Sequence, residues 1–396
     1  MSVAALIFAP PTEVDTVPAA QWLVAGQSVL EYQVRTAHRS GAQHILVFAE
    51  RITPHILAAS DRLARDDIKI ELVRTAEEAG DHLHPDELTI IAVANVIAEP
   101  AVYRGLTQKE AVCILALRDA PGLEALERID GFTRWSGLAL LSGSLIRQTA
   151  RTVGEWDFAG TLLRQALQSD VTLEIQDQRH TDAPLIAFVN DQATATMVNK
   201  ALLQDEQVPP AGLIDYYAWI PLSSLIMPSL LRGAMEPDIW VAVVGLLTML
   251  SLASVWLAPM IVPLLLFVAG GLATRIAQRL VLISLRNAKH LNIVVAGRII
   301  AGGISFVMMS RHLVDYGIGW GYYVLALWLL VEMSRLASAD PWFIGKRELP
   351  VWRASPDTVA IGLVVGHLVD FDILALELMI AYAIVSSSIL QLPRRS

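Results

Sequence analysis

The pattern of apolar and polar positions changes character once along the chain. In the first two hundred or so residues the apolar positions come in short runs, Val3–Phe8, His44–Phe48, Lys69–Val73, Leu88–Val93 and Val112–Ala116. Stretches with helical periodicity lie between them, over Leu30–Ser40 and near 54–65. Such alternation predicts a parallel sheet flanked by helices, with ligands bound at the carboxyl ends of the strands. Beyond residue 237 the apolar runs are long, over 238–256, 258–284, 291–310, 319–337, 356–371 and 373–392. Crossing the hydrocarbon core takes about 20 mostly apolar residues with every backbone polar group bonded internally, so these runs predict helices. The expected organisation is an α/β cytoplasmic domain over 1–205, a linker and juxtamembrane interfacial helix over 206–236, and an all-α membrane domain of about six transmembrane helices over 237–396.

The junction has its own signature. Gln204 to Gly212, with Pro209-Pro210, reads as the boundary. Leu213–Arg232 then mixes apolar residues with Asp215, Tyr216, Tyr217 and Trp219, which is too polar to span and suits a helix lying along the headgroups.

Composition agrees with a bilayer: 54% of residues are hydrophobic and the mean hydropathy is +0.49, against about 45–50% apolar residues in ordinary soluble domains. A net charge of −9 without a basic face excludes nucleic acid as a partner. The single cysteine, Cys113, excludes a disulfide within the chain and a cysteine-based zinc site. The opening residues have an apolar run too short for a bilayer and no basic flank, so they do not read as a signal peptide and 1–211 is expected in the cytoplasm.

Lysine and arginine set the orientation. Arg275, Arg279, Arg286 and Lys289 between spans two and three, Lys346, Arg347 and Arg353 between four and five, and Arg394 and Arg395 after six all belong on the cytoplasmic side. The protein is therefore expected as a multi-pass protein of a bacterial inner membrane with both termini cytoplasmic and membrane lipid as its partner. Ionisable groups inside spans are costly and are usually paired or functional. Arg298 and Glu332 fall near the same depth and can form either a structural ion pair or a phosphate site, and His367 belongs either to a polar cavity or to a packed helix end.

Several segments resemble a family in order. The opening strand, Val24-Ala25-Gly26-Gln27-Ser28-Val29-Leu30-Glu31-Tyr32 and Ser40-Gly41-Ala42-Gln43-His44-Ile45-Leu46-Val47 are similar to the sugar-nucleotidyltransferase fold, which is Rossmann-like. Trp135–Leu141 and Glu155-Trp156-Asp157-Phe158 are similar to its later substrate-side segments. With Ile214-Asp215-Tyr216-Tyr217, Ile220-Pro221-Leu222-Ser223 and Leu230-Leu231-Arg232 ahead of the spans, the whole order resembles bifunctional proteins that join a CTP:inositol-1-phosphate cytidylyltransferase to a CDP-alcohol phosphatidyltransferase. The resemblance implies a homodimer through the membrane helices.

The departures from that pattern bear on chemistry. Pro10-Pro11-Thr12-Glu13 stands where the family has a glycine-rich basic loop for phosphates, and two prolines remove backbone donors. Asn95 stands at the metal-binding aspartate. Placing the membrane signature's glycine and arginine on Gly271 and Arg275 puts Phe267, Gly270, Ala288 and Asn292 at its four aspartates, which in the family hold two divalent cations. Without acidic ligands hard cations have little to bind, so no metal and no cofactor is expected. The function implied is that of a catalytically degenerate relative in phospholipid biosynthesis, a lipid- or headgroup-binding partner or regulator, with Gly271, Arg275, Arg279 and Arg298 as candidates for the phosphate. The alternative is an active transferase of altered mechanism, in which Mg2+ would return and carboxylates among Glu236, Asp238, Glu332, Asp340 and Glu348 would gather at one face.

The orientation gives a direct expectation: a cysteine introduced at Ser396 stays protected from an impermeant thiol reagent added to the periplasmic side. Labelling there would reverse the topology.

Overall fold

The computed structural model describes residues 3–10, 22–120, 122–154, 156–169, 171–176, 186–204, 208–233, 235–259, 261–287, 289–315 and 351–391. They fall into two compact units, one of residues up to Gln204 with Ser284–Arg286 and one of the remainder.

The first unit is α/β. Its strands are β1 (Val3–Phe8), β2 (Ala42–Phe48), β3 (Glu71–Val73), β4 (Leu88–Ala92), β5 (Val96–Ala98), β6 (Cys113–Arg118), β7 (Thr133–Ser142), β8 (Thr172–Gln176) and β9 (Ile186–Phe188). Its helices are α1 (Val29–Arg39), α2 (Pro54–Arg65), α3 (Ala76–His82), α4 (Pro100–Thr107), α5 (Gly143–Thr152), α6 (Phe158–Gln168) and α7 (Gln192–Gln204). Seven strands form one sheet in the order β3-β2-β1-β4-β7-β6-β8, and β5 pairs with β9 in a separate ribbon. The expected all-parallel sheet is corrected at one strand: β7 runs antiparallel to both of its neighbours, β4 and β6. Its sequence gives no sign of this, because a central strand buried on both faces is apolar in either direction.

β1 sits at the middle and is buried throughout. Its side chains alternate between two cores: Val3, Ala5 and Ile7 join one and Ala4, Leu6 and Phe8 the other. This is the period-two consequence of a strand covered by helices on both faces.

Helix α1 starts where Ser28 and Glu31 form a capping box, each side chain accepting from the other's backbone N–H. Glu31 does more than cap. Its buried carboxylate accepts from Arg62 on α2 at 2.8 and 3.0 Å, and Arg35, one turn on, donates to Asp66 just beyond α2 at 3.1 Å. Two amphipathic helices are thereby fixed side by side through four charges.

In the second unit a π-helical turn (Asp215–Trp219) leads into α8 (Ile220–Arg232), followed by α9 (Pro237–Leu257), α10 (Ile261–Ile283), α11 (Lys289–Asp315), α12 (Pro356–Leu368) and α13 (Asp372–Gln391). Val241 of α9, Ala277 and Val281 of α10 and Leu291 and Val295 of α11 share one core. Leu264 and Phe267 of α10 join Val359 and Leu363 of α12 and Leu376 and Ile380 of α13 in another. The ring of Phe267 lies where a Cβ on Gly302 would be, so only glycine at 302 lets α10 and α11 meet there.

The expectation of about six transmembrane helices is narrowed. Among the described residues two helices, α9 and α10, are long and apolar enough to cross a membrane. The expected third and sixth runs are the helices α11 and α13. The fourth, with Glu332, and the loop carboxylates Asp340 and Glu348 lie outside the described residues. The fifth is the 13-residue α12, which at about 1.5 Å per residue falls short of a hydrocarbon core of about 30 Å. α9 exposes Leu246, Met249, Leu250, Trp256 and Leu257; such an apolar face suits lipid better than water.

Burial by itself would raise the carboxyl of Glu31, but hydrogen bonds from Arg62 and Ser28 and the charges of Arg62 and Arg35 hold it below the usual range. A depressed carboxyl stabilises the fold above its unfolded value, and that stabilisation is lost as pH falls through the folded value. Glu31→Gln is expected to lower stability at neutral pH by about 1.5–3 kcal/mol, the worth of hydrogen bonds to a charged group. The difference from the parent should shrink below the usual glutamate range. Thermal unfolding of the full chain in detergent between neutral and acid pH checks it, and an unchanged midpoint would remove this pair from the account of the fold.

Candidate functional site

Within the first unit a cleft of about 770 Å³ opens at the carboxyl ends of β1, β2 and β4, where the alternating pattern leads one to expect a ligand. Phe8, Phe48, Trp135 and Phe188 give it apolar walls. The rings of Phe8, Phe48 and Phe158 stand 5.3 to 5.8 Å apart in a mutually tilted cluster behind that wall. Its charged lining is Glu50, Arg51, Glu127 and Asp157. Pro10 follows β1 into the cleft without a backbone donor to offer, and Pro11, Thr12 and Glu13 lie outside the described residues.

The end of β4 presents Val93 and Ala94 to the cleft. Asn95, the residue at the expected metal position, takes a left-handed conformation with φ of 64°, and its carbonyl accepts from the Val189 N–H at 2.8 Å. The ribbon of β5 and β9 begins there. Asn95 thus turns the chain, a role asparagine fills more readily than most residues.

Two carboxylates converge on the first turn of α6. Asp157 caps that helix by accepting from the Gly160 N–H at 2.8 Å. A Cβ built on Gly160 would lie 2.6 Å from Asp157 Oδ2, 3.2 Å from Glu127 Oε2 and 3.4 Å from the Arg164 guanidinium. Loss of solvation in the cleft wall pushes the Glu127 carboxyl up, as does neighbouring Asp157, against the pull of Arg164. Asp157 belongs to a segment singled out in the sequence. Glu127 does not, since nothing in its local pattern marks it.

In the second unit the four phosphate candidates are held by internal partners. Arg275, 2% exposed at its side chain, lies 3.3 Å from the carboxylate of Asp215 and donates to the carbonyls of Val208 and Pro209 at 2.9 and 3.4 Å. Arg279 donates to the hydroxyls of Ser223 and Ser224, both at 2.8 Å. Arg298 forms a close ion pair with Asp357 and donates to the carbonyl of Phe267 at 2.8 Å. Gly271 is where Asp357 rests: a Cβ there would lie within 2.7 Å of Asp357 Oδ1.

Phe267 and Gly270, two of the four positions that the resemblance sets at aspartates, take part in this arrangement. The guanidinium of Arg298 lies 4.2 Å above the ring of Phe267, and its Nε is 3.2 Å from where a Cβ on Gly270 would stand. Asn292 is exposed near the start of α11, and Ala288 lies outside the described residues. Arg298 is paired with Asp357, and Glu332, the partner expected for it, lies outside the described residues. Asp215 and Asp357 are therefore the carboxylates that the sequence reading passed over. Both sit at element starts, one in the π-helical turn and one in the Ser355-Pro356-Asp357-Thr358 opening of α12, where acidic residues are read as helix-end chemistry. Glu236 and Asp238 remain at the start of α9. His367 Nδ1 meets Asp372 Oδ1 at 2.9 Å across the turn from α12 to α13, so it belongs to a helix end and not to a cavity.

A bimetal centre does not fit these residues. Divalent cations are held by several carboxylate oxygens converging on one point, whereas Asp215 and Asp357 each face a guanidinium. Among the described residues no group of three or more His, Cys, Asp or Glu side chains is placed to hold a metal ion.

No protein-family profile and no curated protein matches the chain. Among solved structures, it is similar to a Bacillus anthracis protein designated a glucose-1-phosphate thymidylyltransferase, in complex with sucrose, at 11% identity and a TM-score of 0.38, over 50% of this chain and 95% of that one. It is also similar to the inositol-1-phosphate CTP transferase of T. maritima at 9% identity and a TM-score of 0.36, over 50% of this chain and 96% of that one.

The geometry of the second unit makes a quantitative expectation. Removing one member of a buried ion pair strands the other, at about 3–5 kcal/mol, while replacing both by apolar residues of similar size is often neutral. Arg298→Met and Asp357→Asn should each destabilise the full chain in detergent by an amount in that range, and the double variant should recover most of the loss. Additive losses in a double-mutant cycle would show that the two side chains do not act as a unit.

Proposed function

We propose that the protein is a membrane-bound relative of the enzymes that make polar lipids, retained as a headgroup-binding partner or regulator without metal-dependent transfer. One observation carries this reading: the Arg298 guanidinium lies across Phe267 and Gly270, two of the four positions matched to metal-binding aspartates, and is answered by the single carboxylate of Asp357. A fixed organic cation at that spot repels a divalent one, and two arginines paired with two aspartates leave the region near electroneutral without metal. The cleft of the first unit supports the same direction. Its charged lining is three carboxylates against one arginine, a poor setting for a triphosphate whose transfer relies on metal and cationic groups.

Gly271, Arg275, Arg279 and Arg298 remain the candidates for holding a phosphate-bearing headgroup. Arg275 and Arg298 would do so in exchange for Asp215 and Asp357. The exposed apolar face of α9 supports a membrane setting.

The test is turnover. Purified full-length protein in lipid nanodiscs, given CDP-activated alcohols and an acceptor alcohol phosphate, is expected to release no CMP above background at any magnesium or manganese concentration. Metal-dependent CMP release would overturn the reading in favour of an active transferase.

A further inference from the structure

Ser284, Leu285 and Arg286 follow α10 in sequence and belong to the first unit. Their backbone is held by α1 and the turn before it. Gln27 Nε2 donates to the Ser284 carbonyl at 2.8 Å, and Arg39, in the last turn of α1, donates to the Arg286 carbonyl. Ser284 and Leu285 are buried, and Leu285 takes a left-handed conformation with φ of 57°. A residue other than glycine holds that conformation only where its surroundings fix it. Arg286 is thereby delivered to one place, beside Arg39.

The charge at that place is one-sided. Arg62 engages Glu31 and Arg35 engages Asp66, so each of these carboxylates already has its own guanidinium. Among the described residues neither Arg39 nor Arg286 has a carboxylate within ion-pair distance, and the Nε–H of Arg286 is buried without an acceptor. A buried donor left unpaired is costly, and more so on a charged group. Burial holds the Arg39 guanidinium below the usual arginine range, and the charge of Arg35 adds to this against the pull of Asp66. An oxyanion shared by Arg39 and Arg286 answers both charges at once and gives the buried N–H its acceptor.

The donors and their position select the anion. Each guanidinium is a planar fork of N–H groups, which matches two oxygens of a phosphate. Arg286 stands three residues beyond Ile283, the end of α10, hence within about 10 Å of it along the chain. α10 is long and apolar enough to cross a membrane, and the end of a spanning helix lies at the depth of the lipid headgroups. We infer that Arg39 and Arg286 form a binding site for a phosphate group, with a lipid headgroup as the source that its position favours. These arginines are not among the four candidates of the second unit. The membrane setting is taken from the reading above, but the absence of turnover is not, and the two fail separately: turnover is read by CMP release, this site by binding.

The experiment titrates full-length protein in neutral detergent with three probes, followed by calorimetry. They are dioctanoyl phosphatidylglycerol, whose phosphate carries a net charge, dioctanoyl phosphatidylcholine, whose phosphate is offset by its own ammonium, and inorganic phosphate. Phosphatidylglycerol is expected to bind at least about tenfold more tightly than phosphatidylcholine, and Arg39→Gln and Arg286→Gln should each lower its affinity about tenfold. Glutamine at 39 keeps a donor for the Arg286 carbonyl, and glutamine at 286 keeps that carbonyl. Arg232→Gln, which removes an exposed arginine at the end of α8, should leave the affinity unchanged. Inorganic phosphate separates the sources: binding weaker than that of phosphatidylglycerol assigns the site to lipid, whereas tighter binding, lost in the same two variants, assigns it to a soluble phosphate. Equal affinities for the two lipids with no binding of inorganic phosphate, binding that both variants leave as in the parent, or a loss in Arg232→Gln as large as theirs would each overturn it.

Discussion

The ion pair between Arg298 and Asp357 is the constraint on which the second unit turns. A guanidinium cannot lose its proton at any accessible pH, so once Arg298 is placed in the middle of α11 its charge has to be answered locally. Asp357, at the start of α12, supplies the opposite charge, the Phe267 carbonyl takes a second donor, and the Phe267 ring lies beneath the cation. Each of these needs space. Gly271 gives it to the carboxylate and Gly302 to the ring, so two glycines far apart in sequence serve one charge. The same carboxylate accepts from Trp219 Nε1 at 3.3 Å, which ties the π-helical turn to the cluster. Helices α10, α11 and α12 and the turn ahead of α8 are therefore held in mutual register by one pair of charges.

The first unit uses a related device under different conditions. Glu31 and Arg35 on one face of α1 meet Arg62 and Asp66 at the end of α2, again two cations against two anions. There the outer two groups border water, the Arg62 side chain with a third of its exposure and Asp66 with 18%, while Glu31 and Arg35 are buried. Screening reduces what such a pair contributes. Beside Arg298, by contrast, the surroundings are the rings, carbonyls and glycines of packed helices. Loss of a partner is then costlier, because no solvent replaces it. The two clusters look alike as residue types, and their surroundings set their energetic weight.

This difference also explains what could be read from the sequence. The alternation of apolar runs gave the strands at Val3–Phe8, Ala42–Phe48 and Leu88–Ala92 and the helices α1 and α2 nearly to the residue, because period and capping are local properties. The direction of β7 is not local, and its sequence is equally consistent with either sense. The arginines were legible, since a charge in an apolar run stands out at once. Their partners were not. Asp215 lies outside the apolar runs and Asp357 at the very start of one, both where an acidic residue has an ordinary local explanation, and only tertiary structure brings them from about 60 residues away to face their arginines. Glu127 escaped for the same reason: its neighbourhood to Asp157 is made by the packing of α6 against the strand ends.

The pairing of the arginines bears on how the packed helices of the second unit hold charge without metal ligands. Several carboxylates facing each other inside packed helices repel strongly unless cations neutralise them, so a metal centre and its ligands are retained or lost together. Phe267 and Gly270 bring no carboxylate to this region and present a surface of ring and glycine. A guanidinium can lie on that surface, one face on the ring and its edge toward a carbonyl, provided one carboxylate remains nearby. Arg298 and Asp357 meet those conditions. Charge balance is then kept by covalently attached groups, which need no metal supply and cannot exchange. A region balanced in this way has no open coordination position through which a metal could polarise a phosphoryl oxygen, which is the physical basis of the reading proposed above.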